Sequence, residues 1–195
     1  MEQLIKNLIE QLTNLIYNNS IFVSLLLGIF VIILESIIPI LPLAVFIAIN
    51  TVVFGNFFGF VISWVATIVG CSISFLIFRK GFSKYLYRNI DIKKKGSELM
   101  NVITNLNFSK LVLILAVPFT PAFSINIGAG LSKMSYKKYL LALIISKLSI
   151  VYFWGFIGTT FVESITDIGV LIKLGIILLI TFILSQIIIK KFKIK

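Results

Sequence analysis

The chain has 195 residues, 59% of them hydrophobic, a formal net charge of +11 and no histidine. Its mean hydropathy of +1.10 describes an integral membrane protein, with several apolar runs near the ~20 residues that cross a bilayer as a helix. Imidazole chemistry and histidine-ligated metals are excluded, a single cysteine forbids an intrachain disulfide, and lysines clustered between apolar runs fit anionic lipid surfaces rather than nucleic acid.

In chain order, residues 1–18 carry Leu4, Ile5, Leu8, Ile9, Leu12, Leu15 and Ile16 at three- and four-residue spacing, with Glu2, Lys6 and Glu10 between them. That pattern predicts a helix lying in the membrane interface. A first span runs from about Ser20 to Glu35. Residues 36–54 then form a broken segment, because Pro39 and Pro42 remove amide donors and disrupt a helix. Asn50 and Thr51 are its polar groups. A glycine-containing turn, Phe54–Gly59 with Gly55 and Gly59, leads into an uninterrupted span over 57–78, where Cys71 reads as a small packing residue. The stretch 79–107, from Arg79 through Lys80, Lys84, Arg88 and Lys93 to Lys95, reads as a solvated basic connector.

A second broken segment covers 111–131. It holds Pro118 and Pro121, then Thr120, Ser124, Asn126, Gly128 and Gly130. In hydrocarbon, broken backbone survives only inside protein or beside a water-filled cavity. A span from Tyr139 to Phe161 carries Lys147, an acidic turn follows at Glu163 and Asp167, and a last span over 168–189 ends in the basic tail Lys190, Lys191, Lys193 and Lys195.

The four prolines form two copies of one motif, Pro39-Ile-Leu-Pro42 and Pro118-Phe-Thr-Pro121, offset by 79 residues. Interrupted segments at matching places in two halves point to a binding site of a transporter built as an inverted repeat. The halves are 20–78 and 108–162, joined by the 79–107 loop and followed by 168–195, in one membrane domain. The short-loop charge rule places the basic loop, Lys133, Lys137, Lys138 and the C-terminal tail on the cytoplasmic side if 111–131 dips in and returns. The expected fold is therefore all-α and polytopic, with two opposed re-entrant hairpins formed around Pro39, Pro42, Gly55 and Gly59 and around Pro118, Pro121, Gly128 and Gly130.

Glu35 and Lys147 stand as charges within apolar runs, and an intramembrane charge is by default a functional hypothesis. Lys147 is read either as a contact for substrate or as a lysine snorkelling to an aqueous vestibule. Glu35 is a pathway group or a charge at a helix end. Asn126, Thr120 and Ser124 either cap broken helices or meet a head group. A half-helix N-terminus there presents free amides suited to phosphate or carboxylate. No Walker loop, zinc spacing or catalytic triad is present, so neither an enzyme nor a cofactor is expected.

Glu35-x-x-x-Pro39-x-x-Pro42, Phe54-Gly-x-x-x-Gly59, Gly70-x-x-x-x-Phe75-x-x-x-Arg79-x-Gly81, Pro118-Phe-x-Pro121 and Asn126-x-x-Ala129-Gly130, in this order, resemble the DedA superfamily, also described as VTT-domain proteins. The doubled proline in the second copy is similar to one branch of that superfamily. The resemblance implies re-entrant hairpins meeting in the bacterial inner membrane, and movement of lipids or lipid-linked phosphates such as polyprenyl phosphate, often with proposed proton coupling. Charged groups common in the superfamily are replaced here by Leu115, Pro121, Leu43 and Ala44, which sets Lys147 forward as the positive charge. The alternatives are a proton- or ion-coupled transporter of a small solute and a non-transporting assembly protein.

Overall fold

In an apolar solvent each backbone N–H and C=O must find its partner within its own segment, so runs this hydrophobic fold as helices. The structure is a computed structural model and describes residues 21–38, 43–82, 103–164 and 166–191. Among these residues the order is α1 (Ile21–Ile37), α2 (Leu43–Ile77), α3 (Phe108–Ala116), α4 (Ala122–Leu131), α5 (Tyr136–Glu163) and α6 (Ile168–Lys191), with no strand. A wider π-helical turn, Phe78–Phe82, prolongs α2. The parts of α2 and α5 that span, together with α6, are long and apolar enough to cross a membrane; α1 and α4 are shorter apolar helices. The expected interfacial helix at 1–18, the prolines Pro39 and Pro42, most of the basic loop and the last four residues lie outside the described residues.

The backbone of α2 breaks at Gly55, with φ 78° and ψ 166°. That combination is open to glycine and strained for any residue with a Cβ. The break reverses the chain: Gly59 lies so close to the backbone of Asn50 and Thr51 that it has no room for a side chain. Asn50 Nδ2 donates to Ser63 Oγ at 3.1 Å across the same reversal. The turn expected over Phe54–Gly59 thus contracts to one residue, with Gly59 serving close approach instead. Gly28 of α1 likewise abuts the Asn50 side chain, and Gly70 abuts Ser36. The sequence reading set a span at 20–35 apart from a broken segment at 36–54. The two are one fold-back, with α1 and the first part of α2 as its limbs, because small residues let these helices approach closely.

The second segment behaves similarly around α5. Lys138, near the start of α5, donates from Nζ to the Leu106 carbonyl at 2.6 Å, and Met134 lies just before that helix. Between them residues 117–121 reach Lys147, Ile150 and Trp154, which stand about 13 to 24 Å farther along at the helical rise. The chain leaves the start of α5, reaches its middle and returns. Here Gly128 and Gly130 do not break the helix, contrary to the expectation. Pro118 and Pro121 carry the interruption, while Gly130 sits inside α4 and lets it pack on the carbonyl of Phe75.

Two apolar clusters fill the interior. One joins Phe75, Leu111, Ile114, Ile125, Tyr139 and Leu143; the other joins Val31, Ile32, Phe46, Ile47, Ala66 and Val151. Helices α2 and α5 contribute to both, so they form the spine against which each fold-back is packed. Tyr139 stacks on Phe75 with centroids 4.6 Å apart. Ile103 and Leu106 are buried in the first cluster, so the end of the expected solvated loop belongs to the core.

Candidate functional site

The interruption at 117–121 begins with Val117, which is extended (φ −86°, ψ 127°) as a residue before proline must be. Phe119 has φ 62°, a left-handed conformation rare for a bulky residue and worth notice when it sits beside a cavity. Thr120 Oγ1 donates to the Val117 carbonyl at 2.8 Å and closes the turn. Pro121 is the N-cap of α4, where its missing N–H removes no intrahelical bond. The ring of Phe119 meets Trp154 edge-on at 5.2 Å and Phe182 of α6 at 5.6 Å. Ser185 of α6 donates to the Pro118 carbonyl.

This turn forms one wall of a cavity of about 340 Å³. Thr120, Pro121 and Ser124 come from the turn and the first turn of α4, Glu35 from the end of α1, Leu43 from the start of α2, and Lys147 and Trp154 from α5. Lys147 is 2% exposed, so its charge has left bulk water almost entirely. The residues on either side of both chain interruptions therefore border one space. Glu35 and Lys147 share that space, and among the described residues no direct ion pair joins them.

Two groups of positive electrostatic sign border the cavity. A buried ammonium and the amino-terminal end of α4 border the same volume, and of the first-turn amides that of Ala122 is already bonded to the Thr120 carbonyl at 2.7 Å. The carboxyl of Glu35 lines the same cavity and interacts electrostatically with Lys147.

Of the residues picked out from sequence, Glu35, Lys147, Thr120 and Ser124 meet at this cavity. Asn126 does not. It is buried between α4 and α5, where its Oδ1 accepts from the Tyr139 hydroxyl, a packing role set by its position two residues after Ser124, on the other side of α4. Sequence reasoning missed three residues. Trp154 was undistinguished among the 26 aromatic side chains of the chain. Phe119 gave no signal, since positive φ is not written in a phenylalanine. Arg79 was assigned to the solvated loop, yet its guanidinium turns inward and donates to the carbonyls of Gly130, Ala129, Ser132 and Met134 at 2.6 to 3.1 Å. It also covers the Phe75 ring, 4.6 Å from its centroid. The Phe75-x-x-x-Arg79 spacing, one helical turn, was the available clue.

A family model described as the VTT domain matches residues 38–160. The chain is 33% identical over 149 residues to the uncharacterized membrane protein YhjE of Bacillus subtilis (strain 168), a match covering 76% of this chain and 72% of that one. No solved structure matches. The matched range contains the 117–121 turn, Lys147 and Trp154, and begins three residues after Glu35.

Proposed function

The chain belongs to the VTT domain family, within the DedA superfamily, and from that premise we propose that this membrane protein translocates a lipid or lipid-linked phosphate across the bilayer. The observation that carries the reading is the enclosure of Lys147 with Glu35 and the amino-terminal end of α4, between the two interruptions of the chain. A phosphate head group is the charge such a cavity accepts, and a site in mid-helix is where a head group must pass.

The two fold-backs act as re-entrant hairpins of an inverted repeat. Support comes from the 79-residue offset of the proline pairs and from the ends of α5 that each fold-back approaches. The second begins and ends beside the start of α5. The first ends at Gly55, where the chain turns back into the rest of α2, next to residues that share a cavity with Phe156 and Thr159 near the other end. Hairpins entering from opposite faces and meeting at one midplane site are the arrangement of alternating access. By the charge rule the Arg79 end faces the cytoplasm in the inner membrane. Proton or ion coupling through Glu35 is compatible with this site, and membrane lipids are its partners.

The test is reconstitution into sealed vesicles with a labelled long-chain phosphate lipid in one leaflet. Wild type accelerates its appearance in the other leaflet and Lys147→Met does not, while flux of small anions such as inorganic phosphate stays at background. Small-anion flux without lipid movement replaces the reading with a solute transporter. Neither activity, from protein that is folded and correctly inserted, leaves an assembly role.

A further inference from the structure

Beside the Lys147 cavity lies a second, larger one of about 640 Å³, walled by the first part of α2, the later part of α5 and the first half of α6. Its lining is hydrocarbon: Ala48, Ile49, Ile157, Leu171 and Leu178 are representative. The two cavities adjoin. Trp154 lines both, and the consecutive residues Leu43 and Ala44 line one each. Tryptophan is the side chain suited to such a boundary, with an apolar body and a polar edge. Gly158 keeps α5 against α2, having Ala48 where a side chain would go, whereas Gly175 of α6 faces open space.

We propose that the apolar cavity holds the hydrocarbon chain of an anionic amphiphile whose head group occupies the Lys147 cavity, with Trp154 dividing head from chain. This rests on reading the Lys147 cavity as a phosphate site and extends it. The charge on one side of Trp154 and the exclusively apolar wall on the other select a ligand with both parts. Inorganic phosphate lacks the chain, and a neutral lipid lacks the charge. Helix α6 is the outer wall of the chain site, so the chain lies between protein helices and not on the bilayer-facing surface.

The obvious alternative is that bulk lipid fills the groove whatever its head group, and the experiment separates the two. Protein in phosphatidylcholine vesicles is photolabelled with a long-chain phosphate monoester carrying a diazirine in mid-chain, and in parallel with the corresponding alcohol. The phosphate probe labels Ile49, Ile157 and Leu171 about tenfold more than the alcohol does, and Lys147→Met removes the difference. Gly175→Phe, which projects into empty space from a helical position, obstructs the cavity and lowers that labelling about tenfold while the helix is retained. Equal labelling by the alcohol, labelling confined to the outward residues Leu179 and Ile183, or labelling unchanged in Gly175→Phe overturns the chain site. Lipid movement measured on the same vesicles keeps the two proposals apart. Normal movement in Gly175→Phe removes the chain site and leaves translocation standing. Cavity labelling without movement in wild type removes translocation and leaves the chain site.

Discussion

Arg79 holds Gly130: its Nε donates to the glycine carbonyl at 2.6 Å, and its other nitrogen reaches three more carbonyls around the end of α4. Ala129 and Gly130 are among the last-turn acceptors that a helix leaves unsatisfied, and Ser132 and Met134 lie in the connection to α5; a guanidinium can serve several at once because its donors are fixed in a fork. Arg79→Ala is expected to destabilise the protein by about 3 kcal/mol, the scale of a charged donor lost from half-buried acceptors. Arg79→Lys should recover only part of that. Thermal unfolding in detergent measures both, and an unchanged midpoint in Arg79→Ala would show the clamp to be incidental.

The same bonds place the end of α2 and the approach to α5 at one end of the molecule. Cysteines introduced at the exposed positions Lys80 and Lys137 should therefore react with an impermeant reagent from the same side of the membrane. Background is low, since Cys71 is the one native cysteine and is buried. Labelling from opposite sides would restore a full crossing between them.

At Lys147, methionine keeps the length and removes the charge. Lipid-phosphate movement should fall about 10- to 100-fold, the range of a charge-assisted contact, with abundance and unfolding temperature held or raised. Arginine keeps the charge and should retain part of the rate. Normal movement in Lys147→Met makes the lysine a bystander.

Replacing Pro118 and Pro121 together with alanine lets α3 and α4 merge, which would also release Phe119 from positive φ. We expect transport to fall more than abundance does, because the merged helix withdraws Thr120 and the α4 terminus from the cavity. Equal losses of both would mean that the turn serves folding alone.

Two glycines give a matched pair. A Cβ at Gly130 would lie 2.6 Å from the Phe75 carbonyl oxygen, so Gly130→Ala should cost about 1–3 kcal/mol by overpacking. Gly175→Ala meets nothing and should stabilise by up to about 1 kcal/mol. Unfolding midpoints that move in the same direction would contradict the packing described at α4.

The sequence was informative where physics acts locally. Prolines at 118 and 121 must interrupt a helix, and they do; the apolar run before Lys190 forms, as expected, a helix long enough to cross a membrane. Lys147 and Glu35 stood out because charges are scarce in such runs, and they do share a cavity. What depends on contacts between distant residues was hidden. Nothing in the neighbourhood of Arg79 distinguishes a lysine-rich loop from a clamp on carbonyls some fifty residues away. Gly128 and Gly130 resemble helix breakers until the helix beside them is known. The pairing of α1 with the start of α2 is likewise a matter of which small residues meet, Gly28 with Asn50, and this no single segment records.

Helix α6 touches the turn at 117–121 through Ser185 and Phe182, and Ser185 follows Pro118 by 67 residues. During synthesis the turn emerges and enters the membrane long before these partners exist. Until α6 arrives, the Pro118 carbonyl lacks its hydroxyl donor and the apolar cavity lacks its outer wall. A nascent chain halted after α5 would thus display an open, lipid-accessible groove beside a buried lysine. Completion of the last helix is then the event that closes the outer wall of the apolar cavity.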